Sequence, residues 1–317
     1  MSDDRKARET IPGTTRHDVA MTIISAIGPG AVGGTIAAHL AHDTRHTVRL
    51  AARTPFEILE VQTDAEMLRV TPEVITEPAA ARPADWVLVA TKAYDVETTS
   101  PWLRQMIGPD TVVAILQNGV EHLARFAPLV PKSQLLPVVV NVPSHRIAPG
   151  RIRQLGQAEL TVPHSANGER FANLFADTHV RVHLTDDFVT AAWTKLALNA
   201  VGAVSAVTLV PRLDPRQPAT EALLRQIVEE VMEVGNAEGA RIPPDLPDDI
   251  VSMLAVSTST HPNSLHADLL AGRRMEIDAR NGAIVRFGAK HAIPTPVNAV
   301  LVGLLRTIEV AKPAQRS

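Results

Sequence analysis

The 317-residue chain contains no cysteine. That excludes disulfides, thiolate nucleophiles and cysteine metal sites, and it permits a cytoplasmic location. An excess of either charge is also missing: 31 Lys and Arg stand against 34 Asp and Glu, a formal net charge of −3. Such a balance provides no global basic field, so nucleic acid is not an expected partner. No apolar run approaches the ~18 residues of a membrane span, so a membrane is not expected either. Internal repeats and low-complexity stretches are absent. The first 20 residues lack the apolar core of a secretory signal and carry Asp3, Asp4 and Glu9, which predicts a disordered tail over residues 1–20. Met21 directly precedes the first predicted strand.

The chain is longer than a single core usually grows, and 45% of its residues are hydrophobic. Two domains are therefore the better expectation. The informative motif is Gly28-Pro29-Gly30-Ala31-Val32-Gly33, placed between the apolar run Ile23–Ile27 and the helix-forming run Thr35–Leu40. Strand, glycine turn and helix start are the context in which G-x-G-x-x-G binds a dinucleotide. Gly28 makes the tight turn, Gly30 lets backbone approach a pyrophosphate, and Gly33 lets helix and strand pack closely. The phosphates would meet the free N–H groups at the helix N-terminus, around Ala31 and Val32.

What the second strand lacks indicates the nucleotide. An acid that accepts from the ribose 2′-OH is expected about 20 residues past the glycines. The stretch Thr47–Pro55 contains none and has Arg53 near its end. A guanidinium can fork onto a 2′-phosphate, which favours NADP(H). The alternative is an ordinary solvated arginine in a β–α loop.

Two further apolar runs end in polar residues. Trp86–Thr91 leads into Lys92, and Val112–Leu116 leads into Gln117-Asn118-Gly119. Continuous apolar runs suit a parallel sheet covered on both faces, and ligands in such sheets lie beyond the carboxyl ends of the strands. Lys92 and Asn118 are thereby placed toward the cofactor, or else they are a surface lysine and an Asn-Gly turn. Short β-like runs between Leu136 and Leu184 predict antiparallel edge strands that extend the sheet. A helical half begins near Asp186. In it, Asp187–Leu209 has helical composition, and a second helix is predicted with Thr220 as cap, Glu221 in its first turn and Gly235 at its end. The expected fold is α/β: an N-terminal Rossmann domain over residues 21–186 and an all-helical domain over residues 187–317, with the active site in the cleft between them.

On the predicted helix, Lys195 and Asn199 lie four residues apart and share one face amid apolar neighbours. Ser264, Glu276, Asp278 and Asn281-Gly282 follow. Lys195 could equally snorkel to water, and Glu276 and Asp278 could be acids of a helix start. His39, His42 and His46 are spaced three and four apart, but His46 falls beyond the helix and no carboxylate pair accompanies them, so no metal site is expected.

Taken in order, the glycine fingerprint, Arg53, Lys92, Asn118-Gly119, Lys195-x-x-x-Asn199, Ser264, Glu276-Ile277-Asp278 and Asn281-Gly282 resemble the ketopantoate reductase (2-dehydropantoate 2-reductase) family. The match covers nearly everything after Met21. The resemblance implies NADPH-dependent reduction of a 2-oxo acid, most directly 2-dehydropantoate to pantoate in pantothenate biosynthesis. It implies Lys195 as general acid, Glu276 as the residue that binds the substrate hydroxyl and supports the lysine, and Ser264 and Asn199 as substrate holders. It places Asn118, Lys92 and Glu276 by the cofactor and Arg53 by its 2′-phosphate. A small molecule is the implied partner, and a homodimer stays open. The family often has a second asparagine four residues after Asn199, whereas this chain has Ala203; that departure points to a related 2-oxo acid or ketone. Alternative readings are a β-hydroxyacid dehydrogenase and a non-catalytic NADP sensor.

Overall fold

The computed structural model describes residues 21–257 and 261–311; the tail expected over residues 1–20 lies outside them. The chain opens with a βαβ unit, β1 (Thr22–Ile27), α1 (Ala31–His42) and β2 (His46–Ala51). Next come β3 (Leu59–Gln62), β4 (Met67–Val70), β5 (Glu73–Ile75), β6 (Trp86–Val89), α2 (Val96–Met106), β7 (Val112–Ile115), α3 (His122–Phe126) and β8 (Leu135–Pro137). The strand-bearing part closes with β9 (Val139–Asn141), β10 (Ser144–Ala148), β11 (Arg151–Gln154), β12 (Glu159–Pro163), α4 (Ala166–Leu174) and β13 (Arg181–Thr185). Then come α5 (Phe188–Thr208), α6 (Pro218–Ala237), α7 (Leu246–Val256), α8 (Ser264–Leu270), α9 (Asn281–Lys290) and α10 (Pro296–Ala311).

The main sheet is parallel throughout, in the order β5-β2-β1-β6-β7-β8. Its central strands are the continuous apolar runs: β6 and β7 are buried at every position, as a sheet covered on both faces requires. The strand order reverses between β1 and β6, and the glycine turn stands there. Gly28 has φ +82°, and a Cβ on it would meet Thr91 backbone at about 3.0 Å. A Cβ on Gly33 would lie 2.5 Å from the Gly28 carbonyl oxygen and 2.7 Å from Ala90. Both positions need glycine.

The segment from Leu136 to Leu184 departs from expectation. β8 joins the sheet in parallel to β7 and ends it, because Pro137 has no N–H to offer another strand. The remaining strands build two smaller sheets. One, in the order β10-β11-β3-β4, packs against α1; the other, β13-β12-β9, mixes a parallel and an antiparallel pair.

In the helical half, Asp187 caps α5, its Oδ1 accepting from the Thr190 N–H at 3.1 Å. Helix α6 starts earlier than predicted: Pro218, with φ preset for the first helical position, replaces Thr220 as the start signal. It also runs past Gly235, where the missing side chain admits Trp193 and Ile242. The strand lobe and the helical lobe have separate apolar cores, the second built from Leu196, Ile227, Val231, Ile284 and Leu305 among others.

Candidate active site

The glycine turn leaves an open cradle at the N-terminus of α1. Gly30 caps the helix, the first intrahelical bond runs from Gly34 N–H to Gly30 O, and a Cβ on Gly30 would meet nothing within 4 Å. The first N–H groups of α1, at the half-buried Ala31 and Val32, lie beside the open space at Gly30 that a pyrophosphate could occupy. Arg53 is exposed just past the end of β2. Residues and cradle fit a dinucleotide.

Beyond the ends of β6 and β7, Lys92 and Asn118 converge on Glu276. This carboxylate is almost wholly buried at 4% exposure, yet both its oxygens accept hydrogen bonds, with acceptor capacity left on Oε1. Oε1 accepts from the Ala93 N–H at 3.1 Å, and Oε2 accepts from Asn118 Nδ2 at 3.1 Å and Lys92 Nζ at 3.2 Å. Lys92 also donates to Asp268 Oδ2 at 2.7 Å, and Arg273 Nε donates to Asp268 Oδ1 at 2.9 Å. Burial alone would raise the Glu276 carboxyl, but the charges of Lys92 and Arg280 outweigh it and hold the group below the ordinary carboxylate range. Burial likewise works against the Lys92 ammonium, and the neighbouring Glu276 and Asp268 charges overcome it and raise its pKa. The result is an ionised clasp between the strand lobe and the helical lobe.

Lys195 and Asn199 do share one face of α5, as their spacing predicts. Lys195 Nζ donates to Asn141 Oδ1 at 2.9 Å, at the end of β9, and Asn199 Nδ2 donates to Asn118 Oδ1 at 3.4 Å. Burial first, then the charge of Arg280, brings the Lys195 ammonium down from 10.5 to about 8. Lys195, Asn199, Asn118 and Gln117 line one concavity, Glu276, Ala93 and Tyr94 line a second, and the Asn118–Glu276 hydrogen bond links the two sets. The charge partner of Glu276 is thus Lys92, and Lys195 reaches it only by way of Asn199 and Asn118. Ser264 is exposed at the start of α8, with Arg280 donating to its Oγ at 2.6 Å.

Asp268, Asn141 and Arg280 were not singled out from sequence. A local signal existed for Asp268 alone, a carboxylate on the apolar side of a short helix beside Leu265 and Leu269. Two of the three histidines are otherwise occupied: His39 donates to Gln154 Oε1 and His46 to the Leu174 carbonyl, both at 2.9 Å. Among the described residues no group of three or more His, Cys, Asp or Glu is placed to hold a metal ion, and no helix is long and apolar enough to cross a membrane.

Ala203 corrects an expectation. It does not face the cleft but is 0% exposed in the helical core, and the amide at that level of α5 is Asn263, whose Nδ2 donates to the Gly202 carbonyl at 3.0 Å. Its departure from the family pattern therefore carries no argument about the substrate. Ala203→Asn is expected to cost about 1–3 kcal/mol for burying an unpaired amide. Urea unfolding measures this, and an Ala203→Asn enzyme of unchanged stability and improved KM would return the position to the pocket.

A parallel sheet with its glycine turn at the switch point, joined to a helical lobe that carries one lysine into the cleft, defines the class as a two-lobed oxidoreductase. Within it, the chain belongs to the ketopantoate reductase family. The family model described as ketopantoate reductase PanE/ApbA matches residues 24–167, and that for its C-terminal part matches residues 187–309. The chain is 49% identical over 285 residues to a 2-dehydropantoate 2-reductase of Caulobacter vibrioides, covering 90% of this chain and 98% of that protein. It is similar to the crystal structure of a PanE/ApbA family ketopantoate reductase from Ralstonia eutropha JMP134, with TM-score 0.84, 32% identity and coverage of 92% of this chain and 99% of that one. A D-mandelate dehydrogenase solved with NADH and anilino(oxo)acetate shares the fold at TM-score 0.83 and 20% identity, covering 91% of this chain and 99% of that one.

Proposed function

We propose that this protein reduces 2-dehydropantoate (ketopantoate) to pantoate with NADPH in the cytoplasm. The observation that carries this reading is Lys195: a lone ammonium on an otherwise apolar stretch of α5, brought down to about 8 by burial and by Arg280, and lining one concavity with Gln117 and Asn118 at the end of β7. In this reading residues 21–186 hold the nucleotide and residues 187–317 bring the catalytic groups. NADPH would lie over Gly28, Gly30, Ala31, Val32 and Gly33, with Lys92, Asn118 and Glu276 near its reactive end, and would supply a hydride to the ketone carbon.

Negative charge then develops on the ketone oxygen. Lys195 stabilises it and gives up its proton there, completing the CH–OH group, and takes another from solvent afterwards. A donor with a pKa of about 8 is mostly protonated at neutral pH and still acidic enough to transfer its proton. Glu276, kept ionised by Lys92, accepts a hydrogen bond from the substrate hydroxyl, and Asn199 and Ser264 fix the orientation of the oxo acid. Two copies per assembly is the proposed state, supported by an apolar stripe of Val300, Leu304 and Val310 left exposed on α10; light scattering reads it directly.

The decisive experiment follows NADPH absorbance with a panel of 2-oxo acids that includes ketopantoate. Absence of turnover on ketopantoate alongside turnover on another member would reassign the substrate. No turnover on any would remove the enzymatic reading. The choice of nucleotide rests on Arg53, and NADPH should bind at least tenfold more tightly than NADH, about 1.4 kcal/mol. Arg53→Ala should narrow that gap, as read by calorimetric titration of both nucleotides. Equal wild-type affinities would overturn the NADPH assignment.

A further inference from the structure

Arg280 is a cation buried at 2% exposure, directly ahead of α9. A buried guanidinium ordinarily has a carboxylate bonded to it. Here the two carboxylates that face it electrostatically, Glu276 and Asp268, are bonded to others: Lys92, Ala93 N–H and Asn118 for the first, Lys92 and Arg273 for the second. Arg280 instead donates through Nη2 to a neutral hydroxyl, Ser264 Oγ, at 2.6 Å, and its Nε is buried without a partner.

A guanidinium has donors only, so Ser264 Oγ must accept in this bond. Its own O–H is then left to donate elsewhere. Ser264 is exposed, so that donor points out of the protein wall with a full positive charge directly behind it. Such a pair attracts an anion. The charge of Arg280 also acts on Lys195, so the two cations bear on the same region of the site. A 2-oxo acid has the matching shape, a ketone oxygen for Lys195 and an adjacent carboxylate for Ser264.

We infer that Arg280 is the counter-ion of the substrate carboxylate, acting through the Ser264 hydroxyl that it polarises, and that it thereby sets the preference for 2-oxo acids over uncharged ketones. This rests on the reading of the site as a 2-oxo acid reductase. The motif reading gave the substrate to Ser264 and Asn199, neutral groups that by themselves would give little preference for charge.

The test compares ligands that differ only in the carboxylate, using the full chain with Arg280→Met, Arg280→Lys and Ser264→Ala. Calorimetry without nucleotide measures pantoate against pantolactone, and kinetics with NADPH measures ketopantoate against ketopantoyl lactone. Arg280→Met should weaken pantoate binding and raise the ketopantoate KM by about tenfold to a hundredfold, while both lactone values stay within about threefold. Ser264→Ala should lose part of the same preference, and Arg280→Lys, which keeps the charge but not the fork, should fall between it and Arg280→Met. A folded Arg280→Met that binds pantoate as tightly as wild type, or that loses acid and lactone equally, overturns the inference. If Arg280→Met does not fold, the acid-to-lactone ratio of Arg280→Lys decides by the same criterion. Should the wild type reduce a different 2-oxo acid, the comparison is made on that acid and its methyl ester, so the substrate assignment can fall while the role of Arg280 stands.

Discussion

Lys195→Ala is expected to lower kcat by roughly 10² to 10⁴, the usual range for loss of a general acid, while NADPH affinity stays near the wild-type value. The wild-type rate of ketone reduction should also fall as pH rises through about 8, because the donor is then deprotonated. Stability should change in the opposite direction. A lysine whose folded pKa lies below its ordinary 10.5 destabilises the fold while it is charged; the cost is fully present below about 8 and disappears as pH rises toward 10.5. Lys195→Met, which keeps the stem and removes the charge, should therefore melt at a higher temperature than wild type at pH 7. A Lys195→Ala enzyme with near-normal kcat would move the proton donor elsewhere.

The second large effect falls on the clasp. Glu276→Ala leaves Lys92 sharing one carboxylate, Asp268, and removes the acceptor of Asn118 Nδ2 and of the Ala93 N–H in a partly buried setting. With Lys92 partly exposed and still paired to Asp268, the loss lies between the surface and fully buried cases, about 1–3 kcal/mol, so the urea midpoint at pH 7 should drop and the KM for ketopantoate should rise. Glu276→Gln keeps the shape and one acceptor oxygen and should lose less stability, while it still loses the charge that holds Lys92. The pH dependence has a definite sign. The Glu276 pKa is depressed in the fold, so its contribution is present above the ordinary value of 4.5 and is lost as pH falls through the lower folded value. The stability gap between wild type and Glu276→Gln should accordingly close in acid. A gap of equal size at pH 7 and at pH 3 would contradict the ionised clasp.

The parts of the molecule that were legible in sequence are those whose signal is local. The glycine turn, the apolar runs of β6 and β7, and the spacing of Lys195 and Asn199 each fit inside one element, so pattern and structure agree. The small sheets were not legible because their pairings are remote: β3 lies beside β11, with Val61 opposite Ile152, and a four-residue alternation such as Leu59-Glu60-Val61-Gln62 is too short to stand out. The site divides in the same way. Lys92, Asn118 and Glu276 were singled out in the sequence, since two of them follow strands and the third belongs to a motif. Their mutual arrangement was not, because Lys92 and Asp268 are 176 residues apart in sequence. Arg280 was passed over because an arginine just before a helix reads as solvated, and only the fold reveals that it is sealed in.

Arg53 is exposed and, among the described residues, makes no hydrogen bond or ion pair, while the cradle it flanks is made of backbone. Replacing it therefore disturbs no packing, whereas any change to Lys92 or Glu276 disturbs two lobes at once. For evolution the two halves of the site are unequal. The nucleotide preference assigned to Arg53 can drift by single substitutions without a detour through unstable intermediates, but the clasp can be altered only by coordinated change. A laboratory selection for NADH use should consequently collect its first mutations around residue 53 and leave the clasp untouched.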